Sequence, residues 1–191
     1  MTSDGSRKKL SDLSIGDEVL SVNNQGALEF SPVILFLDRD PKEQRQFYHI
    51  STEAGQALTL TPSHLIYAST EAIEASRFEA IYAKDIREGD FILVHNGQGN
   101  MKPVRVTDVE MRVLTGVFAP LTSAGNLVVD DVLASCYAVV DSQAVAHAAF
   151  APMRWYSSLF AKLDLQNGIH WYADALYRIG DTLMPRHLSL P

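Results

Sequence analysis

Apolar and polar positions alternate in short runs over most of the chain, the spacing of half-buried strands. Val19, Leu20 and Val22 follow a Gly16-Asp17 turn and predict a strand. Asn23-Asn-Gln-Gly26 predicts the hairpin turn that returns it through Ala27-Leu28-Glu29-Phe30, because Asn and Gly tolerate positive φ. Val33-Ile-Leu-Phe-Leu37 predicts a fully apolar strand ending at Asp38-Arg39-Asp40-Pro41, and Phe47-Tyr-His-Ile50 predicts another. Ala54-Gly55 turns the chain into Leu58-Thr-Leu-Thr-Pro-Ser-His-Leu-Ile66, a strand-like run broken by Pro62. Thr61 and His64 flank that break. A β-branched hydroxyl and an imidazole on one turn can both face a single carbonyl, which suits the polarisation of a peptide bond.

The β pattern repeats. Leu13-x-x-Gly16-Asp17-x-Val19-Leu20 returns 73 positions later as Ile86-x-x-Gly89-Asp90-x-Ile92-Leu93, and the turn at Gly55 returns 70 positions later at Gly125. Two units in the same order predict a duplicated β-module, with two related subdomains closing on each other through a pseudo-two-fold axis. Leu133 to Val140 ends the β-rich part. The period then changes. Met153, Tyr156, Phe160 and Leu163 have helical spacing after Pro152, and Ile169, Tyr172, Leu176, Ile179 and Leu183 step by three and four up to Met184-Pro185. The organisation expected is a frayed polar start (residues 1–9), a β domain (10–142) and an amphipathic helical region (143–191).

Composition narrows the function classes. The chain has 191 residues, 47% of them apolar, enough for one or two small domains with a core. A net charge of −7, a pI near 5.3 and a single basic cluster at Arg7-Lys8-Lys9 argue against nucleic acid as a partner, because phosphate neutralisation needs clustered cations. One cysteine, Cys136, excludes an internal disulfide. In its apolar alternation it reads first as a buried small hydrophobe. No run reaches the ~18 apolar residues of a membrane span, and the first ten residues carry no apolar signal-peptide core. His49, His95, His147, His170 and His187 show no paired ligand spacing, so neither a metal nor another cofactor is expected.

Several motifs then occur in a fixed order: Leu-x-x-Gly16-Asp17-x-Val-Leu, Phe36-Leu-Asp38-Arg39-Asp40, Leu60-Thr61-Pro-Ser-His64-Leu, Ala119-Pro120-Leu121-Thr122, Ala134-Ser-Cys136-Tyr-Ala138, Phe150-Ala-Pro152 and Gly168-Ile-His-Trp-Tyr172. Over nearly all of its length the chain resembles the C-terminal autoprocessing region of hedgehog proteins, a Hint domain related to inteins. The resemblance implies a mainly β Hint fold followed by a helical sterol-recognition region. It also implies an activity. A cysteine at the start of the domain attacks the carbonyl of the preceding glycine, the peptide bond becomes an internal thioester, and the 3-hydroxyl of cholesterol displaces the thiol.

Roles follow from the matching motifs. The resemblance implies that His64 polarises the scissile amide and protonates the departing amine, a role suited to a side chain titrating near neutrality. It implies that Thr61 fixes that amide and that Asp38 is the base for the sterol hydroxyl. Cys136 corresponds to the family's second cysteine, a redox or structural partner of the nucleophile. Met153, Trp155, Tyr156, Phe160, Trp171, Tyr172 and Leu176 form the implied sterol surface. The implied partners are cholesterol, a hedgehog signalling domain in cis and a membrane surface; the implied setting is the endoplasmic reticulum and secretory pathway. One departure matters. The family's Gly-Cys-Phe nucleophile motif has no counterpart in Met1-Thr-Ser-Asp-Gly5, so the chain as written is expected to be an N-terminally shortened form that does not cleave itself. Two other readings compete: a non-catalytic sterol- or membrane-binding module, and a hydrolase using Cys136, His64 and Asp38, which ranks last because Cys136 lacks a neighbouring cation or helix N-terminus.

Overall fold

The computed structural model describes residues 1–138. They are mainly β: β1 Glu18–Val22, β2 Leu28–Thr52, β3 Ala57–Leu60, β4 His64–Ser69, β5 Glu79–Tyr82, β6 Phe91–His95, β7 Met101–Thr122, β8 Asn126–Val129 and β9 Val132–Ala138. The strands run β1-β2-β7-β6-β4-β9-β8 in one curled sheet, with β3 on β2 and β5 on β4. β2 and β7 pair antiparallel from Val33↔Thr122 to Thr52↔Val106. β2 begins against β1 and ends against β3, while β7 begins against β6. Each long strand therefore leaves one half of the molecule and finishes in the other.

The repeat seen in the residues is reproduced bond for bond. Gly16 and Gly89 have φ of 92° and 94°. Gly16 N–H donates to the Val33 carbonyl at 2.8 Å, and Gly89 N–H donates to that of Val106 at 2.9 Å, 73 positions on in both partners. The return bonds match too: Val33 N–H to Asp17 O at 2.8 Å, and Val106 N–H to Asp90 O at 2.7 Å. The Asp17 and Asp90 carboxylates accept from the amides of Ser14 and Arg87, both at 2.8 Å. In the following hairpins, the side-chain oxygens of Asn23 and Asn96 accept amides two and four residues ahead.

The cores obey the same relation. Leu13, Val19 and Val33 lie in one cluster with Phe36, Leu121 and Tyr137, and their counterparts Ile86, Ile92 and Val106 lie in a second with Ile50, Ile66 and Val132. The matched pair Leu20 and Leu93 shares a third cluster, where the halves meet. A testable consequence concerns the two glycines. A Cβ would meet nothing within 4 Å at either site, so only backbone strain opposes alanine. Gly16→Ala and Gly89→Ala should each cost about 1–2 kcal/mol, and the two costs should agree in urea unfolding. A cost at one site alone would contradict the equivalence of the two turns.

Two expectations are corrected. The strand expected to end at Asp38-Arg39-Asp40-Pro41 continues to Thr52. The Asp40 carboxylate accepts the amides of Lys42 and Glu43 at 2.8 and 3.1 Å, which closes an irregularity between Asp40 and Gln44. Pro41, with no N–H to give, sits inside that irregular stretch, and the ladder resumes at Gln44↔Thr115. The start of the chain, expected to be frayed, is instead docked on β1. Thr2 bridges to Val19, and Leu20 N–H donates to the Met1 carbonyl at 2.9 Å. Asp4 locks the turn behind it by accepting from the Thr2 hydroxyl at 2.7 Å and the Ser6 amide at 2.9 Å. Arg7 reaches across to Asp131 at 2.7 Å. Short polar side chains that close local turns here outweigh the entropy of a polar terminus.

Candidate peptide-activating site

Thr61-Pro-Ser-His64 is a β-turn between β3 and β4: His64 N–H donates to the Thr61 carbonyl at 3.0 Å, with Pro62 pre-setting φ at the second position. The turn delivers His64 to the first residue of β4, opposite Ala138 of β9. There its Nε2 lies 2.8 Å from the Ser135 carbonyl oxygen. A carbonyl can only accept, so the proton is on Nε2 and Nδ1 keeps its lone pair. Burial pushes the imidazole below its usual range, and the Ser135 carbonyl opposes this more weakly. The ring is thus neutral at neutral pH, held in one tautomer, with a basic nitrogen that has no partner among the described residues. Thr61, part-exposed, stands at the head of the same turn.

Cys136 follows the peptide that His64 touches, and its own N–H donates to Gly125 O at 2.9 Å. It is 1% exposed. Its Sγ lies 3.6 Å from Thr122 Oγ1, and the single Thr122 hydroxyl proton is given to Asn126 O at 2.7 Å. The thiol is therefore the donor of that pair. Burial pushes the thiol up to about 11. His64 meets the backbone beside Cys136 while Sγ stays protonated against Thr122. This arrangement runs against the hydrolase reading, in which the imidazole must relieve the thiol of its proton. Roughly a thousandth of such a thiol is ionised at a pH of about 8, so an aromatic disulfide reagent should leave Cys136 untouched in the native chain and titrate it fully in guanidinium. Prompt native reaction would contradict the burial.

Asp38 occupies a second centre, on β2 opposite Ala119 of β7. It is 8% exposed. Its Oδ2 is 2.8 Å from Arg45 Nη1, and its Oδ1 is buried with no partner among the described residues. Burial raises the carboxyl above its ordinary value; the Arg45 charge and hydrogen bond pull it back. Arg45 also forks onto Glu43 through Nε and Nη2 at 2.7 and 2.8 Å.

The fold therefore brings Thr61, His64 and the peptide before Cys136 together, and leaves Asp38 apart: no hydrogen bond or ion pair among the described residues joins it to His64. The expected sterol surface, Met153, Trp155, Tyr156, Phe160, Trp171, Tyr172 and Leu176, lies outside the described residues, as does the helical region 143–191. Three contributors escaped the reading of the residues. Ser135 acts through its carbonyl, which no side-chain pattern reveals. Thr122 is a partner only through folding. Arg45 had a signal, a cation near Asp38 in the chain, but the strand break expected at Pro41 hid it.

The family model of the Hint module matches residues 1–185. The hedgehog protein of Drosophila virilis is 41% identical over 202 residues, covering 95% of this chain and 41% of that protein. That of Drosophila melanogaster is 41% identical over 199 residues, covering 95% and 42%. The chain thus spans about two-fifths of the length of these curated relatives. Among solved structures, a DnaB intein from Synechocystis superposes with a TM-score of 0.57 at 15% identity, covering 70% of this chain and 89% of that one. The gp41-1 intein superposes with a TM-score of 0.52 at 20% identity, covering 70% and 90%. Two interlocked β-halves shared with inteins, and a sequence match running through both and beyond, settle the assignment: the chain belongs to the Hint module family, with hedgehog proteins among its relatives.

Proposed function

We propose that the chain is the autoprocessing module of a hedgehog-type precursor. The observation that carries this reading is the 2.8 Å bond from His64 Nε2–H to Ser135 O, which leaves a neutral imidazole whose Nδ1 has no partner among the described residues, beside the Thr61 turn. In the first step a cysteine thiol adds to the carbonyl carbon of the glycine before it. The thiol gives its proton to His64 Nδ1, the C–N bond breaks, the acyl group passes to sulfur, and the amine leaves with that proton. Thr61 is the hydroxyl partner that fixes the geometry of that amide. Cys136, buried and protonated, does not serve as that nucleophile. The reading places the nucleophile in a Gly-Cys-Phe segment joined ahead of Met1, so the 191 residues alone carry out no acyl shift.

In the second step the 3-hydroxyl of cholesterol gives its proton to Asp38, adds to the thioester and displaces the thiol. The upstream signalling domain departs as a sterol ester. Met153, Trp155, Tyr156, Phe160, Trp171, Tyr172 and Leu176 recognise the sterol at a membrane surface of the secretory pathway. No metal or other cofactor takes part, and no nucleic acid is bound. The test is direct. A carrier peptide ending in Gly-Cys-Phe is joined to Met1 and the product treated with dithiothreitol. Cleavage between Gly and Cys, absent when that Cys is Ala, is the expected result. A folded product that stays intact would overturn the reading.

A further inference from the structure

We propose that Arg45 is a positioning residue for the acyl-acceptor step: it pins Asp38 through Oδ2 and leaves Oδ1 as the oxygen that takes the proton of an incoming alcohol. The inference rests on Asp38 being the base of the proposed function.

In a regular strand, residues seven apart are separated by about 23 Å, far beyond the reach of one ion pair. The Asp38–Arg45 pair at 2.8 Å exists because β2 is irregular between Asp40 and Gln44. The Asp40 carboxylate holds that irregularity by accepting the Lys42 and Glu43 amides. Glu43 then takes Nε and Nη2 of Arg45 in a bidentate fork at 2.7 and 2.8 Å. Such a fork fixes the plane of a guanidinium. The nitrogen that remains, Nη1, is the one on Asp38 Oδ2. The carboxylate plane is fixed in turn, and Oδ1 is left buried with no partner among the described residues. A buried acceptor without a donor costs free energy, and the O–H of an alcohol supplies that donor.

The charges around Asp38 fit this role. Arg45, Glu43 and the Arg39 backbone amide, all from β2, act on it. Across the ladder β7 presents Ala119, between Phe118 and Pro120, with no titratable group. The Arg39 guanidinium is turned onto the Phe36 ring at 4.5 Å and the Ser11 carbonyl at 2.9 Å. Burial favours the protonated, useless form of the base, and Arg45 opposes it. The step balances. The alcohol proton moves to Oδ1, the alcohol oxygen forms the new C–O bond, the C–S bond breaks, and the departing thiolate recovers the proton from the Asp38 acid.

The test uses the full chain carrying the Gly-Cys-Phe segment. Cholesterol-dependent cleavage is followed against pH for the parent, Arg45→Met, Arg45→Gln, Arg45→Lys and Asp38→Ala, with cleavage by dithiothreitol as the fold control. Without the cation the limb on which the rate rises with pH should move upward in the Met and Gln variants. Below that limb the rate falls about tenfold for each unit moved. Arg45→Lys should restore part of the shift, and Asp38→Ala should show no sterol-dependent cleavage at any pH. If sterol cleavage survives in Asp38→Ala, the reading of the base is wrong. If Asp38→Ala is dead while both the Met and Gln variants keep the parent limb, Arg45 has no positioning role and Asp38 stands. Should the Met variant fail the fold control, the Gln variant decides: an unmoved limb overturns the proposal.

Discussion

Replacing His64 with alanine, in a chain extended by a Gly-Cys-Phe segment, should slow thiol-induced cleavage by about 10²–10⁴-fold. The size follows from what the ring contributes. An amide nitrogen is a poor leaving group until it is protonated, so expulsion of the amine waits on an acid placed within hydrogen-bond reach. His64 is suited to this because its Nε2–H is committed to the Ser135 carbonyl at 2.8 Å, leaving Nδ1 as the nitrogen that exchanges a proton. Burial pushes its pKa down, so the proton it acquires is readily given up again. His64→Gln keeps a donor for Ser135 and loses the titratable nitrogen; it should be as slow as His64→Ala while unfolding closer to the parent. Gel or mass analysis of cleavage in dithiothreitol checks both variants. Near-parental rates in either would remove His64 from the mechanism.

The second large effect belongs to Asp38. Asp38→Ala should abolish cholesterol-dependent cleavage and spare cleavage by dithiothreitol, since a thiol ionises in solution and needs no base. A sterol hydroxyl stays protonated at any accessible pH, so its attack depends on a carboxylate at hand. Stability should move the other way. The carboxyl is raised by burial above its ordinary value, so the stability contributed by the neutral form is complete below that ordinary value and is lost as pH rises through the raised one. Asp38→Asn, neutral throughout, should therefore gain on the parent as pH rises from acid to neutral in thermal unfolding. A constant difference across that range would show that Asp38 titrates alike in both states.

Much of the fold was legible because its strongest constraints are local. A Gly-Asp turn before an apolar pair is visible in the residues, and its recurrence at Gly89-Asp90 announces the second half before any contact is known. The Thr61-Pro-Ser-His64 turn is legible for the same reason. The path of β2 was not. Asp38-Arg39-Asp40-Pro41 carries every local sign of a strand end, but Asp40 caps the irregularity with its own carboxylate and pairing with β7 resumes beyond it. Long-range pairing decided the outcome, and a single sequence does not display it. The site divides in the same way. His64 is recognisable as a side chain, whereas its orientation depends on a backbone oxygen 71 residues away. The role proposed for Arg45 depends on an irregularity that the local pattern read as a break.

We propose that this chain, joined to a Gly-Cys-Phe segment, converts a peptide bond into an ester of a sterol. The measurement that tests it most directly is the intact mass of the fragment released when the Gly-Cys-Phe-extended chain is incubated with cholesterol under mild reductant. The expected result is a fragment ending in glycine whose mass exceeds that of the free acid by cholesterol less one water, released far more slowly from the His64→Ala variant. Release of the free acid alone, or a chain that remains whole beside a properly folded control, would contradict it.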